Sequence, residues 1–247
     1  MNLKKLFHPK YLPHFALVCG ALCALVRWWL FTSVDSKGLL DSQHPGHWLT
    51  WLITAVAMAG LALGTWNLRQ APKYSFNFPA STLSAVGRWV AAAVILLSSV
   101  ASLISKTDML TKLTALLGLG SAAALGFLGL CRKEGKRPSM LLHTLICVHL
   151  MLQLVCMYRL WSANSQVQTY CFSLLSIVSV MLSVYYCAAF DSKAGDRRAH
   201  ALTHLAAVYF SISALPHCSD PLFFIAMAVW MVTDLCCLIP MPRGEHA

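Results

Sequence analysis

The sequence predicts an all-α protein that crosses a membrane with about eight transmembrane helices. Three observations support this fold class. Hydrophobic residues make up 58% of the chain and charged residues only 11%, whereas a soluble domain carries roughly a quarter charged residues. The apolar residues form runs close to the roughly 20 residues that span a bilayer as a helix. Short loops separate these runs, and basic residues are concentrated in alternate loops. Residues 1–247 are therefore predicted to form a single integral membrane domain.

The basic segment at residues 131–138 sets the predicted orientation of every span. It lies between two apolar runs and contains Arg132, Lys133, Lys136 and Arg137. Short loops rich in lysine and arginine stay in the cytoplasm, because their transfer across the bilayer is unfavourable. Alternation from this loop places both termini in the cytoplasm. The expected surroundings are a lipid bilayer. The net charge of +10 does not indicate nucleic acid, since the basic residues form no continuous stripe.

The eight predicted spans follow from the apolar runs in chain order. They cover approximately residues 11–31, 48–68, 81–104, 110–130, 140–161, 167–190, 199–215 and 222–239. The first is a retained helix rather than a cleaved signal peptide, because Arg27, Trp28 and Trp29 stand where a cleavage site needs small residues. The second opens with Trp48 and Trp51, which are typical of a membrane interface.

The later spans carry further local signals. Arg88 lies near the inner end of span three, where a long side chain can reach the membrane surface by snorkelling. Span four contains Gly118, Gly126 and Gly129, and such small residues predict close packing against neighbouring helices. Spans seven and eight are shorter and form a hairpin around residues 216–221, where two prolines mark a turn.

Polar residues on span five and near the outer helix ends are candidates for binding a solute. His149 and Gln153 are four residues apart and share one helix face, which Cys156 extends. Arg27 and Arg159 lie near the predicted outer surface, where they could form a vestibule for an anionic or zwitterionic solute. Two structural alternatives remain open: hydrogen bonding between helices for the span-five pair, and snorkelling for the arginines.

A second set of polar residues is predicted to lie near the cytoplasmic ends of the late spans. His200 and His204 share one face of span seven, and Asp234 on span eight lies at a similar depth in the hairpin. His143 lies near the inner end of span five. Histidine and carboxylate side chains are zinc ligands, so these four residues form a candidate metal site. Interfacial histidines and a paired aspartate are the structural alternative.

Two resemblances accompany these patterns. The His200-x-x-x-His204 pair, with His143 and Asp234, loosely resembles membrane-embedded hydrolases related to ceramidases and adiponectin receptors. That resemblance implies a zinc-dependent hydrolase, although the chain lacks a match to the early serine and histidine motif of those enzymes. Residues 27–45, which read Arg-Trp-Trp-Leu-Phe and later Gly-Leu-Leu and His-Pro, resemble uncharacterised multi-pass proteins of Gram-positive bacteria. This second resemblance implies a bacterial plasma membrane and no particular activity.

The cysteines do not predict a disulfide framework. Most of the ten lie within apolar spans, and Cys218 is the one in a predicted outer loop. In this setting they are small hydrophobic residues. Cys218 is therefore predicted to be the native cysteine that a membrane-impermeant thiol reagent reaches from outside.

Three classes of function remain compatible with the sequence. The first is a non-enzymatic membrane component that binds partner helices or a second copy of itself, as the small-residue faces suggest. The second is a transporter of a small solute or of protons that uses the polar face of span five. The third is the zinc hydrolase with its site at the cytoplasmic side. The chain contains no phosphate-binding loop and no nucleophile elbow, so the sequence favours a protein that is not an enzyme.

Overall fold

The computed structural model describes residues 11–33, 40, 44–66, 68, 77–105, 108–162 and 169–237. Over these residues the chain is helical, which confirms the all-α prediction. The eight α-helices are α1 (Leu12–Phe31), α2 (Gly46–Trp66), α3 (Thr82–Ser105), α4 (Met109–Glu134), α5 (Met140–Trp161), α6 (Cys171–Asp191), α7 (Arg197–Ala214) and α8 (Pro221–Cys236). A short 3₁₀-helix, Leu215–His217, joins α7 to α8.

Six of these helices, α1 to α6, are long and apolar enough to cross a membrane. The described part of the chain is therefore that of a multi-pass membrane protein. Helix α8 is apolar but has only 16 residues. Helix α7 has 18 residues and begins with two arginines. Two points stay predictions: that these two helices also span the bilayer, and that both termini lie in the cytoplasm.

Aspartate side chains fix the starts of three helices. Asp108 accepts a hydrogen bond from the backbone N–H of Thr111 at the start of α4. Asp196 and Asp220 do the same for the first turns of α7 and α8. A carboxylate at this position pairs N–H groups that the helix itself leaves without acceptors. Gly135, with a φ of 67°, ends α4 in the left-handed conformation that glycine adopts without strain.

Helices α3 to α8 form a ring. Each packs against the next in the chain, and α8 also packs against α3. At the contact that closes the ring, Gly87 of α3 lies directly against Thr233 of α8. Helices α1 and α2 lie outside the ring and pack against α7. Helix α7 therefore has neighbours on every side, which explains why most of its residues are buried.

The predicted close packing of α4 holds for some of its glycines. A Cβ atom at Gly118 would collide with Ser99 of α3, and one at Gly129 would collide with the indole of Trp89. At Gly126, by contrast, no atom lies within 4 Å of the position that a Cβ would take. Close approach therefore needs glycine at the first two positions and not at the third.

Candidate functional site

A polar cavity of about 530 Å³ lies inside one end of the ring. This end carries the turns α3–α4 and α7–α8, and we call it the outer end, following the predicted orientation. The cavity is lined by residues of α3, α4 and α5 and of the turn before α8. Its polar lining consists of Ser98, Ser99 and Ser102 on α3, Asp108, Thr111 and Thr114 at the start of α4, His149, Gln153, Cys156 and Arg159 on α5, and Ser219 and Asp220 before α8.

Charged groups of the lining lie at the cavity mouth. Arg159 Nη1 lies 3.5 Å from Asp108 Oδ2, and both side chains are more than half exposed. The same Asp108 oxygen accepts hydrogen bonds from the backbone N–H and the hydroxyl of Thr111. Asp220 uses Oδ1 to accept a hydrogen bond from the backbone N–H of Phe223. The mouth therefore presents one guanidinium and two carboxylates, and each carboxylate is anchored by a helix start.

The deeper wall carries uncharged polar groups. His149 is almost fully buried, and its Nδ1 lies 3.2 Å from the carbonyl oxygen of Thr114. Since a carbonyl only accepts, Nδ1 carries the proton, and Nε2 of the neutral ring is left as an acceptor. The hydroxyl of Thr114 lies 3.2 Å from the sulfur of Cys156. The span-five residues therefore contact α4 and also line the cavity, so interhelical bonding and solute access are compatible roles.

The sequence predicts that Arg27 forms an outer vestibule with Arg159. In the structure Arg27 lies away from the cavity. Its side chain is 1% exposed and donates a hydrogen bond of 2.9 Å to the carbonyl of Ser213. Its guanidinium also lies 4.2 Å from the centre of the Phe172 ring. Arg27 thus joins α1 to α6 and α7 instead of snorkelling or lining the cavity. Two aspartates near the predicted outer surface, Asp35 and Asp41, lie outside the described residues.

The opposite end of the ring contains a buried polar cluster centred on an ion pair. Arg88 Nη2 lies 2.8 Å from Asp234 Oδ2, and both side chains are 1% exposed. Asp234 also accepts hydrogen bonds from Ser84 and from the indole of Trp230. The prediction that Arg88 snorkels to the membrane surface is therefore wrong. Its side chain turns inward, because a buried carboxylate on α8 offers a charged partner.

The four predicted metal ligands do not form one group, because His143 lies apart from the pair of His200 and His204. The rings of His200 and His204 have their centres 4.0 Å apart, and His204 Nδ1 donates to the carbonyl of His200. His143 instead meets Asp191 at the end of α6, with Nδ1 3.4 Å from Oδ2. Helix α5 packs against α4 and α6 rather than against the α7–α8 hairpin.

The oxygens of Asp234 are engaged with Arg88, Ser84 and Trp230. Among the residues that the structure describes, no three His, Cys, Asp or Glu side chains are grouped so that they could hold a metal ion. The paired aspartate that the sequence analysis kept as an alternative is the observed arrangement for Asp234.

Buried apolar residues, which we call the apolar layer, lie in the chain between the cavity residues and the opposite end of the ring. They include Ile95 on α3, Leu125 on α4, Ile146 on α5 and Met227 on α8. On α8, for example, Met227 is seven residues from both Asp220 and Asp234, or about 10 Å in each direction. All four belong to one buried apolar core.

Two residues of these sites, Asp108 and Asp191, were not predicted from the sequence. Each is a single carboxylate at the boundary of an apolar run, just outside a predicted span. Asp108 caps α4 and pairs with Arg159. Asp191 lies between His143 and Arg137. An acidic residue that directly adjoins an apolar span was the available signal.

The fold and the cavity together define a class of protein, an all-α multi-pass membrane bundle with a polar cavity inside a six-helix ring. No protein-family model, no curated protein and no solved structure matches the chain.

Proposed function

We propose that the protein is a membrane carrier that binds a small polar solute in the outer cavity. The observation that supports this proposal is that His149, Gln153 and Arg159 of α5 line one cavity together with the serines of α3 and Asp220. Binding sites for small molecules are usually concave, with volumes of about 300–1,000 Å³ and a few convergent polar groups. The cavity of about 530 Å³ falls within that range.

The burial of Ser99, Thr114 and His149 in an apolar bundle also favours a solute site. Polar residues inside a membrane protein are costly and usually face a partner helix or a path for a solute. His149 already has its helix partner in Thr114. The hydroxyl of Ser98 bonds to the carbonyl of Ile95 on its own helix, so it is not used to join α3, α4 and α5, which pack through Gly118 and Gly129.

The apolar layer and the inner cluster supply the rest of a transport path. A carrier must close one side of its site while the other side is open. In this conformation the cavity lies at the outer end, and Ile95, Leu125 and Ile146 are among the buried residues on its inner side. The inner ion pair of Arg88 and Asp234 joins α3 to α8, where the ring closes. Separation of that contact would open the ring towards the inner end.

A binding screen tests this function with a matched pair of variants. Purified protein in lipid nanodiscs is mixed with a pool of polar metabolites and washed, and the retained solutes are identified by mass spectrometry. Wild-type protein should retain at least one solute that the double variant His149→Leu/Gln153→Leu does not retain. Met151→Leu is the control, because Met151 lies on the same helix with half of its surface exposed. It should behave as wild type.

Two results would contradict the carrier. One is a wild-type protein that retains nothing from the pool. The other is a double variant that stays folded and retains the same solutes as wild type. Either result would favour the non-enzymatic membrane component that binds partner helices.

A further inference from the structure

We infer that the solute is a zwitterion of amino-acid size, whose two charges bind at the cavity mouth and whose polar side group contacts the deeper wall. This inference rests on the proposed function and names its substrate class. It follows from the way charges are distributed within the cavity. The carboxylates and the guanidinium lie at the mouth, on Asp108, Asp220 and Arg159, whereas the wall below them carries hydroxyl, amide and imidazole groups.

Arg159 is suited to bind the carboxylate of such a solute. Its guanidinium presents several N–H donors in a planar fork that matches a carboxylate. The present partner, Asp108, is 3.5 Å away, and the Arg159 side chain is 58% exposed, so this surface ion pair contributes little to stability. When a solute carboxylate takes the guanidinium, Asp108 keeps its hydrogen bonds from Thr111. The exchange therefore leaves no carboxylate without a partner.

Asp220 is suited to bind the ammonium group. One of its oxygens accepts a hydrogen bond from Phe223 N at the start of α8, which fixes the carboxylate at the cavity mouth. The other oxygen can accept from a solute. Asp220 follows Ser219, which also lines the cavity. Charge balance supports the assignment, since the mouth contains one more carboxylate than guanidinium. An anion without an ammonium group would meet this excess negative charge.

The deeper wall selects the rest of the molecule. With Nδ1 bonded to Thr114, His149 offers Nε2 as an acceptor, and Gln153 offers both a donor and acceptors. The hydroxyl of Ser99 lies against Gly118 on the facing helix. A side group that both donates and accepts hydrogen bonds, such as a hydroxyl or an amide, matches this wall. A wholly apolar side group would leave these buried polar groups without partners.

A matched series of compounds tests the charge requirement. The thermal unfolding temperature of purified protein is measured with each proteinogenic amino acid, because a ligand that binds the folded state raises it. For each amino acid that stabilises the protein, the decarboxylated amine and the deaminated acid are measured at the same concentration. We expect stabilisation by amino acids with a hydroxyl or amide side group, and none by their singly charged analogues.

Charge-removing variants link the effect to the mouth. Asp220→Asn removes the charge and keeps the helix start, because asparagine is an equally good N-cap. It should abolish stabilisation by the amino acid, as should Arg159→Gln. Arg159→Lys keeps the charge and should retain part of the stabilisation. Glu134→Gln is the control, since Glu134 is an exposed carboxylate at the opposite end that pairs with Lys136. It should respond as wild type.

The outcomes separate this inference from the proposed function. If the metabolite screen finds a solute that depends on His149 and Gln153 but carries one charge or none, the carrier stands and the zwitterion is wrong. Equal stabilisation by an amine or an acid alone would also overturn the zwitterion. If no solute depends on His149 and Gln153, the carrier fails and this inference fails with it.

Discussion

Two glycine-to-alanine variants should have opposite effects on stability, and the comparison tests whether α8 closes the ring against α3. At Gly87, a new Cβ would lie 2.9 Å from Thr233 Cβ and 3.1 Å from Thr233 Cγ2, in addition to meeting the hydroxyl oxygen. Rotation of the threonine side chain moves its outer atoms but not its Cβ, so the helices themselves must shift. At Gly126 the same methyl group meets no atom within 4 Å.

The two sites allow the packing cost to be isolated. Overpacking of this kind costs about 1–3 kcal/mol, while alanine is favoured over glycine in a helix by up to about 1 kcal/mol. The helix preference applies to both variants and cancels in their difference. Gly87→Ala should therefore be less stable than Gly126→Ala by about 1–3 kcal/mol. For a chain of this length the difference corresponds to roughly 2–12 °C in unfolding temperature.

The assay is thermal unfolding of the two purified variants and wild type in the same detergent. Gly126→Ala should unfold at or above the wild-type temperature, and Gly87→Ala should unfold clearly below Gly126→Ala. If both variants unfold at the same temperature, or if Gly87→Ala is the more stable one, α3 and α8 do not meet as described and the ring is not closed.

Four further variants test other contacts. Asp234→Leu alone should destabilise the protein by about 3–5 kcal/mol, because it leaves the Arg88 guanidinium buried without its carboxylate. The double variant Arg88→Met/Asp234→Leu should recover most of that loss in thermal unfolding, and an additive loss would refute a direct pair. His149→Leu/Gln153→Leu should unfold within about 1–2 kcal/mol of wild type, since hydrogen bonds between membrane helices are weak, and a much larger loss would show a mainly structural role. Partial burial, together with the nearby Arg27, lowers the pKa of His217. The contribution of its neutral ring to stability is therefore complete above the ordinary pKa of histidine, and it is lost as the pH falls from that value to the lowered pKa of the folded protein. Acidification should therefore lower the unfolding temperature of wild type more than that of His217→Gln, and parallel pH profiles would contradict this.

The helix positions could be predicted from the sequence because they depend on the chain alone. Runs of apolar residues near bilayer length, bounded by basic loops or by Asp108 and Asp220, reproduce to within a few residues the eight α-helices of the part of the chain that the structure describes. The prediction that His149 and Gln153 share a helix face also depends on the chain alone, since residues four apart in a helix lie on one side. The structure places both residues in one cavity.

Contacts between helices could not be predicted, because hydropathy gives depth in the membrane but not lateral neighbours. Arg88 and Asp234 were each assigned to the inner end, yet nothing in either span indicated that α3 and α8 are adjacent. The same limit explains why Arg27 was grouped with Arg159. Both are near outer helix ends, but Arg27 faces Phe172 while Arg159 faces the cavity.

The proposed function depends on a polar cavity that opens from the outer end to the face of α5 that carries His149 and Gln153. Cys156 lines this cavity, whereas Cys147 lies on the same helix with its thiol towards Met181 of α6. Thiol labelling of intact cells with a membrane-impermeant reagent compares two proteins, each keeping only one of these cysteines. We expect the Cys156-only protein to be labelled from outside, as a Cys218-only protein is, and the Cys147-only protein not to be labelled. Labelling of Cys156 would replace the sequence prediction that Cys218 alone is reached from outside. Labelling of Cys147 without Cys156, or of neither while a Cys218-only protein is labelled, would contradict an outward-facing cavity along α5.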